Sequence, residues 1–146
     1  TAGGMSRWTP SLSELQPEFF CEVAPALAAE RGLEAGGWAT SVTARSAIEA
    51  RVLVTDRIAD LHIDGRVVHQ VGLPFHWGTS GLSTGDAANE LTSVSLDPNV
   101  HIQEDKAFTV DIRPGRRPRG PARRALVEEY RRRAGITEHT GMEVRS

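Results

Sequence analysis

Residues 73–92 hold the densest set of groups able to bind a polar ligand. Leu73-Pro74-Phe75-His76-Trp77-Gly78 is followed, after a short polar stretch, by Gly85-Asp86-Ala87-Ala88-Asn89-Glu90-Leu91-Thr92. Gly78, Gly81 and Gly85 let the backbone approach a ligand, because no Cβ intervenes. The hydroxyls of Ser80, Ser83, Thr84 and Thr92, the Asn89 amide and the His76 ring offer both donors and acceptors. Such a set suits a grip on a large polar ligand through hydrogen bonds. It does not complete a catalytic set. His76 has no second ligand at metal spacing, and no Gly-x-Ser-x-Gly elbow, P-loop or Gly-x-Gly-x-x-Gly fingerprint occurs. No catalytic or metal-ligating residue is therefore assigned. At the N-terminus, Thr1-Ala2-Gly3-Gly4-Met5-Ser6-Arg7 adds backbone donors, a hydroxyl and a guanidinium suited to phosphates and planar polar rings.

These groups must be positioned by short β elements. Residues 19–23 read as a strand, and 26–31 as a small helix opened by Pro25 and closed by Gly32. Residues 38–43 and 48–55 alternate apolar and polar positions and predict a hairpin. Residues 61–63 and 67–71 flank Asp64-Gly65, a strong hairpin signal. A long loop, 72–105, follows, and 106–112 alternate as a final strand. The expected class is mainly β with small helices, closed into a β barrel so that no sheet edge is exposed. A loop of that length with little regular structure points to function.

Beyond the strands the composition shifts. Residues 113–121 form a basic Pro/Gly linker, expected to be irregular. Residues 122–134 predict a helix with Leu126, Val127 and Tyr130 on one side, and the last ten residues read as disordered. A net charge of −2 hides this division: residues 1–112 hold 7 basic and 15 acidic groups, and 113–146 hold 10 and 4. Lys106 is the only lysine among 17 basic residues. The Arg-rich segment has no interleaved aromatics and lies beside an acidic domain, which argues against nucleic acid and for a solvated linker docking on an acidic partner surface. Cys21, the only cysteine, excludes an internal disulfide or a cysteine-held cluster within the chain. It reads as a buried, inert thiol in a reducing, cytoplasmic compartment. No apolar run approaches the roughly 20 residues of a membrane span. The first residues lack a secretory pattern, and the absence of an initial methionine suggests a piece of a longer polypeptide.

Taken in order from Thr1 to Arg113, the segments resemble the C-terminal molybdopterin-dinucleotide-binding domain of molybdenum or tungsten oxidoreductases. Within these it is similar to the formate dehydrogenase catalytic (alpha) subunit. The resemblance is carried by the Met5-Ser6-Arg7 turn, Leu15-Gln16-Pro17-Glu18-Phe19-Phe20, Ala28-Ala29-Glu30-Arg31-Gly32-Leu33 and Gly36-Gly37-Trp38-Ala39. It continues through Val71-Gly72-Leu73-Pro74-Phe75-His76-Trp77-Gly78, Ala88-Asn89-Glu90-Leu91-Thr92, Asp97-Pro98-Asn99 and Lys106-Ala107-Phe108. The Leu-Pro-x-His-Trp-Gly loop favours formate dehydrogenase within the superfamily. The sequence departs from the family at Gly3-Gly4, where one glycine is usual. It departs again at Gln103-Glu104-Asp105-Lys106, where Asp105 stands in place of an aromatic.

The resemblance implies a double-psi β barrel of the aspartate-decarboxylase-like kind over residues 1–113, with 114–146 as basic linker, short helix and disordered tail. It implies that Met5, Ser6, Arg7, His76, Trp77, Gly78, Asn89 and Lys106 contact a molybdopterin guanine dinucleotide carrying Mo or W, with Trp77 equally suited to closing the barrel mouth. The metal's protein ligand, the catalytic residues and a 4Fe-4S cluster would lie outside this chain. The partners implied are the remaining domains of the same catalytic subunit and an electron-transfer subunit. Two alternatives stay open: a free-standing barrel subunit of another molybdenum or tungsten oxidoreductase, and a non-redox binding module using its Arg-rich tail. A pyruvoyl-type decarboxylase shares the barrel but needs a Gly-Ser pair, which is absent.

Overall fold

The computed structural model describes residues 4–104 and 106–136. The first three residues of the N-terminal turn, the departure at Asp105 and the expected disorder of the last ten residues lie outside the described residues.

A mixed five-stranded sheet organises the chain in the order β6-β1-β3-β2-β7. Its strands are β1 (Phe20–Val23), β2 (Trp38–Val42), β3 (Ala47–Val54), β6 (Val71–Gly72) and β7 (Asp111–Pro114). A separate hairpin joins β4 (Leu61–Ile63) to β5 (Arg66–Val68). The helices are α1 (Pro10–Leu15), α2 (Pro25–Arg31) and α3 (Pro121–Arg133), with 3₁₀ turns at Met5–Trp8 and Ala88–Glu90. The mainly β class with small helices is what the alternating patterns predict.

Local chemistry explains most boundaries. Proline opens each α-helix, where its missing N–H costs no hydrogen bond. Gly32 ends α2 in the left-handed region at φ 65°, and the Leu33 N–H donates back to the Ala28 carbonyl at 2.8 Å. β2 and β3 form the predicted hairpin, and β1 lies parallel to β3 because α2 and β2 intervene in the chain. Asp64 and Gly65 both have positive φ, as a tight two-residue turn between β4 and β5 requires.

Two expectations are corrected. The predicted strand over 106–112 is only its last part, because alternation sets which face is buried but not whether a partner strand exists. Pairing with β2 begins at Asp111, opposite Val42. That pairing runs on to Pro114 opposite Ala39, so the start of the supposed irregular linker is strand. β7 is an edge strand, and proline is tolerated at its end. The Met5–Trp8 turn and α1 had no hydrophobic period to announce them: Leu12 and Leu15 are exposed.

The main core joins Phe19, Cys21, Val23, Leu27, Leu33, Ile48, Val52, Trp77, Leu91 and Ile112. A second, smaller cluster seats Val127 of α3, flanked by Leu126 and Tyr130, on Val42 and Ala47. Every buried side-chain nitrogen and oxygen among the described residues has a hydrogen-bond partner. No helix there is long and apolar enough to cross a membrane.

Candidate functional site

Arg7 is the hub of the loop that follows β6. Its Nε donates to the His76 carbonyl at 2.7 Å, and its Nη1 donates to the Ser80 carbonyl, with the Gly78 and Ser83 carbonyls at 3.5 and 3.4 Å. Its own carbonyl accepts from the Leu82 N–H at 2.8 Å and the Ser13 hydroxyl at 3.0 Å. One side chain thus ties the N-terminal turn to residues 76–83. Close packing is built in around it. A Cβ on Gly81 would stand 3.2 Å from Arg7, and one on Gly85 would stand 2.6 Å from the Cβ of Phe19.

His76 is held in the left-handed region at φ 69°, an uncommon backbone state for a residue with a side chain. Its side chain is exposed. Trp77 turns inward instead, 9% exposed, with its ring centroid 5.8 Å from that of Phe19. Gly78 faces open space.

Two cavities flank this loop, with Phe75 lining both. The smaller, about 160 Å³, is bounded by Ser6, Arg7, Gln16, Pro74, Trp77 and Ser83. The larger, about 440 Å³, has apolar walls that include Leu27, Leu73, Phe75 and Phe108, with Arg31, His69 and Lys106 among its polar lining. Of the residues anticipated from sequence, Ser6, Arg7, His76, Trp77 and Gly78 gather at the first cavity and its loop. Lys106 belongs to the second. Asn89 is exposed in the 3₁₀ turn beside Ala88, which lines the second cavity. Met5 is 83% exposed and borders neither. Among the described residues, neither the Asn89 amide nor the Lys106 ammonium has a side-chain partner.

Polar groups beyond the sequence candidates also shape the region. His69 lies between Asp60, at 2.8 Å, and Glu30 of α2, at 3.2 Å. The Asp60 hydrogen bond and the two carboxylate charges raise its pKa above 6.5, with partial burial opposing them. Nothing in its sequence neighbourhood signals this, since Glu30 comes from a different element. Cys21 is fully buried in β1, and burial pushes its thiol up to about 12.

The Arg-rich segment docks on the chain's own sheet. Gly115 N–H donates to the Trp38 carbonyl at 2.6 Å. The Arg116 guanidinium lies 4.4 Å over the Trp38 ring, which Arg51 also covers at 4.2 Å. Arg116 Nη2 reaches Glu49 at 2.6 Å, and Arg117 forks onto Asp86 at 2.6 and 2.9 Å. Asp86 also accepts from the Glu49 N–H at 2.9 Å. Burial pushes the Asp86 carboxyl up, but the Arg117 fork, the Glu49 N–H and the charges of Arg117 and Arg119 outweigh it. The group therefore sits below its ordinary value. The expected acidic partner surface is thus corrected: the segment engages Glu49 and Asp86 of its own chain rather than waiting, solvated, for another molecule.

The description "Molydopterin dinucleotide binding domain" matches residues 2–109. The chain is similar to the formate dehydrogenase subunit alpha of Megalodesulfovibrio gigas, 42% identical over 111 residues, which are 75% of this chain and 11% of that protein. It is 39% identical over 111 residues to formate dehydrogenase 2 subunit alpha (cytochrome c-553) of Nitratidesulfovibrio vulgaris, covering 76% of this chain and 11% of that protein. Against the nitrate-inducible formate dehydrogenase major subunit of Escherichia coli it is 41% identical over 98 residues, covering 66% of this chain and 10% of that one. The chain spans about a tenth of the length of these curated relatives. A match that runs from the Arg7 turn through the 73–92 loop to Lys106 takes in the whole lining of the smaller cavity and all of the larger one's but Val110 and Ile112, and the chain belongs to the molydopterin dinucleotide binding domain family.

Proposed function

We propose that this chain binds molybdopterin guanine dinucleotide, with molybdenum or tungsten, as the C-terminal domain of a formate dehydrogenase catalytic subunit. The cofactor-binding part spans residues 1–113 as a double-psi β barrel, and 114–146 extend it. One observation carries the reading. The chain's only lysine, Lys106, has no side-chain partner among the described residues and lines a cavity of about 440 Å³ whose walls include Phe75 and Phe108. A cation beside flat apolar walls suits an anionic heteroaromatic ligand. The volume suits part of a dinucleotide, leaving the rest to the remaining domains of the subunit.

The residues present fit such a group. Lys106 would neutralise phosphate or pterin charge, Asn89 would present both amide functions to a ring edge, and Gly78 would allow close backbone approach. Arg7 would act on the ligand's surroundings, since its guanidinium already holds the loop carbonyls. Ser6 and Trp77 would line the adjoining cleft beside the exposed His76 and Met5. When bound, the cofactor supplies the redox chemistry, formate being oxidised to carbon dioxide and electrons passing to an iron–sulfur cluster. This chain's part is to bind, orient and shield. Engagement of Arg113, Arg116 and Arg117 with the chain's own carboxylates speaks against a nucleic-acid role for that segment.

The test is purification of the full-length subunit containing this domain, followed by metal analysis and fluorescence of the oxidised pterin. Both are expected at near-stoichiometric levels, with Asn89→Ala and Lys106→Ala lowering occupancy. A wild-type subunit without pterin, molybdenum or tungsten overturns the reading.

A further inference from the structure

We infer that the segment 115–133 is a strap that positions Asn89 by fixing both shoulders of its turn. The inference rests on the proposed contact between Asn89 and the pterin dinucleotide. Arg117 holds Asp86 on one side of the turn, and Arg123 reaches Glu90 at 3.6 Å on the other. The family match ends at residue 109, so the strap is an addition to the matched domain.

The strap is built to hold rather than to trail. At one end Gly115 is bonded through its N–H to Trp38, and its carbonyl accepts from the Thr40 hydroxyl at 3.0 Å. At the other end Val127 is buried against Val42 and Ala47, and Arg131 Nε donates to the Ala44 carbonyl at 2.7 Å. Between these ends, Arg116 stacks on Trp38 and binds Glu49, whose second carboxylate oxygen accepts the Arg117 N–H at 3.1 Å.

The Arg117–Asp86 pair differs from a surface ion pair. Both side chains are largely shielded, 12% and 15% exposed, and the contact is bidentate. Shielding and fork geometry make such a pair stronger than an exposed one. Asp86 also clips the loop to β3 through the Glu49 N–H. The loop between β6 and the 3₁₀ turn contains no strand or helix, so its conformation depends on such clips. Arg117 is therefore a positioning residue, acting on the ligand through Asp86 and the Asn89 turn.

The experiment uses the full-length subunit loaded with its cofactor. Pterin and metal retained after dilution are followed over time, and amide hydrogen exchange is read across residues 86–91. Arg117→Gln and Asp86→Asn are each expected to speed cofactor loss about tenfold, from the typical strength of a charged hydrogen-bonded pair, and to raise exchange in that window. Their double variant should lose cofactor no faster than either alone. Arg117→Lys, which keeps the charge but not the fork, should fall between. Arg124→Ala, on the exposed side of α3, should match wild type. Wild-type retention in Arg117→Gln, with or without faster exchange, overturns the strap. Unchanged retention in Asn89→Ala from a loaded enzyme overturns the route through Asn89 while sparing the cofactor reading. A wild-type subunit without pterin overturns both.

Discussion

Arg7 Nε donates to the carbonyl of His76 across 69 positions of sequence at 2.7 Å, and the donated-to residue sits at φ 69°. The strained backbone and the guanidinium belong together. A left-handed histidine costs on the order of 1 kcal/mol or more and persists only where its surroundings enforce it. Arg7 enforces it by taking up the carbonyl groups that this turn points inward.

Arg7→Ala should therefore loosen the loop more than a surface substitution would. Several carbonyls lose a charged donor, and stability should fall by about 1–3 kcal/mol. Arg7→Lys should recover only part of this, because a single ammonium cannot serve the same spread of acceptors. Limited proteolysis within residues 76–84 checks it. Equal cleavage rates in wild type and Arg7→Ala would show that the loop holds its shape without the guanidinium.

Gly85 tests the packing on the other side of the loop. A Cβ there would meet the Cβ of Phe19 at 2.6 Å and Trp77 Cε3 at 3.4 Å. Neither a buried Phe19 backbone-proximal atom nor a buried Trp77 ring can move aside freely. Gly85→Ala should cost about 1–3 kcal/mol, as overpacking does, and shift Trp77 emission as the ring is displaced. An alanine variant with wild-type denaturation midpoint and emission would mean that the loop backbone adjusts at no cost.

What the sequence made legible follows from the range of the interactions. The β2–β3 hairpin, the Asp64-Gly65 turn and α2 with Gly32 are local, so spacing and turn residues announce them. Alternation extends β7 too far toward Lys106 because it reports burial, while pairing with β2 is decided some 70 positions away. Family motifs marked Arg7 and the His76-Trp77-Gly78 loop as one site. They did not reveal that Arg7 holds loop carbonyls, because that depends on three-dimensional closure. Charge imbalance points to an acidic counterpart but places it on a partner; that the carboxylates are Glu49 and Asp86 of the same chain is decided by the folded sheet.

Cys21 should be chemically silent in the folded chain. It is fully buried, and its thiol is pushed up to about 12, so the nucleophilic thiolate is scarce at pH 8. Alkylation by iodoacetamide at that pH should be at least a hundredfold slower than in denaturant, a rough bound from thiolate fraction and access together. Rapid labelling under native conditions would require β1 to open far more often than the complete burial of Cys21 suggests.

His69 should make the region over the larger cavity pH-dependent. It lies between β5 and β6 and reaches Asp60 and Glu30, and its pKa is raised above 6.5, chiefly by the Asp60 hydrogen bond. A raised value means that the fold favours the protonated ring. The stabilisation is therefore fully present below about 6.5, the ordinary histidine value, and is lost as pH rises through the higher folded value. Nuclear magnetic resonance titration should give His69 a midpoint above 6.5. Amides of β4 and β5, corrected for intrinsic rates, should lose protection across the same interval. His69→Gln keeps a polar side chain but cannot titrate, so it should flatten that dependence. A midpoint at or below 6.5, or the same pH dependence in His69→Gln, would assign the effect to another group.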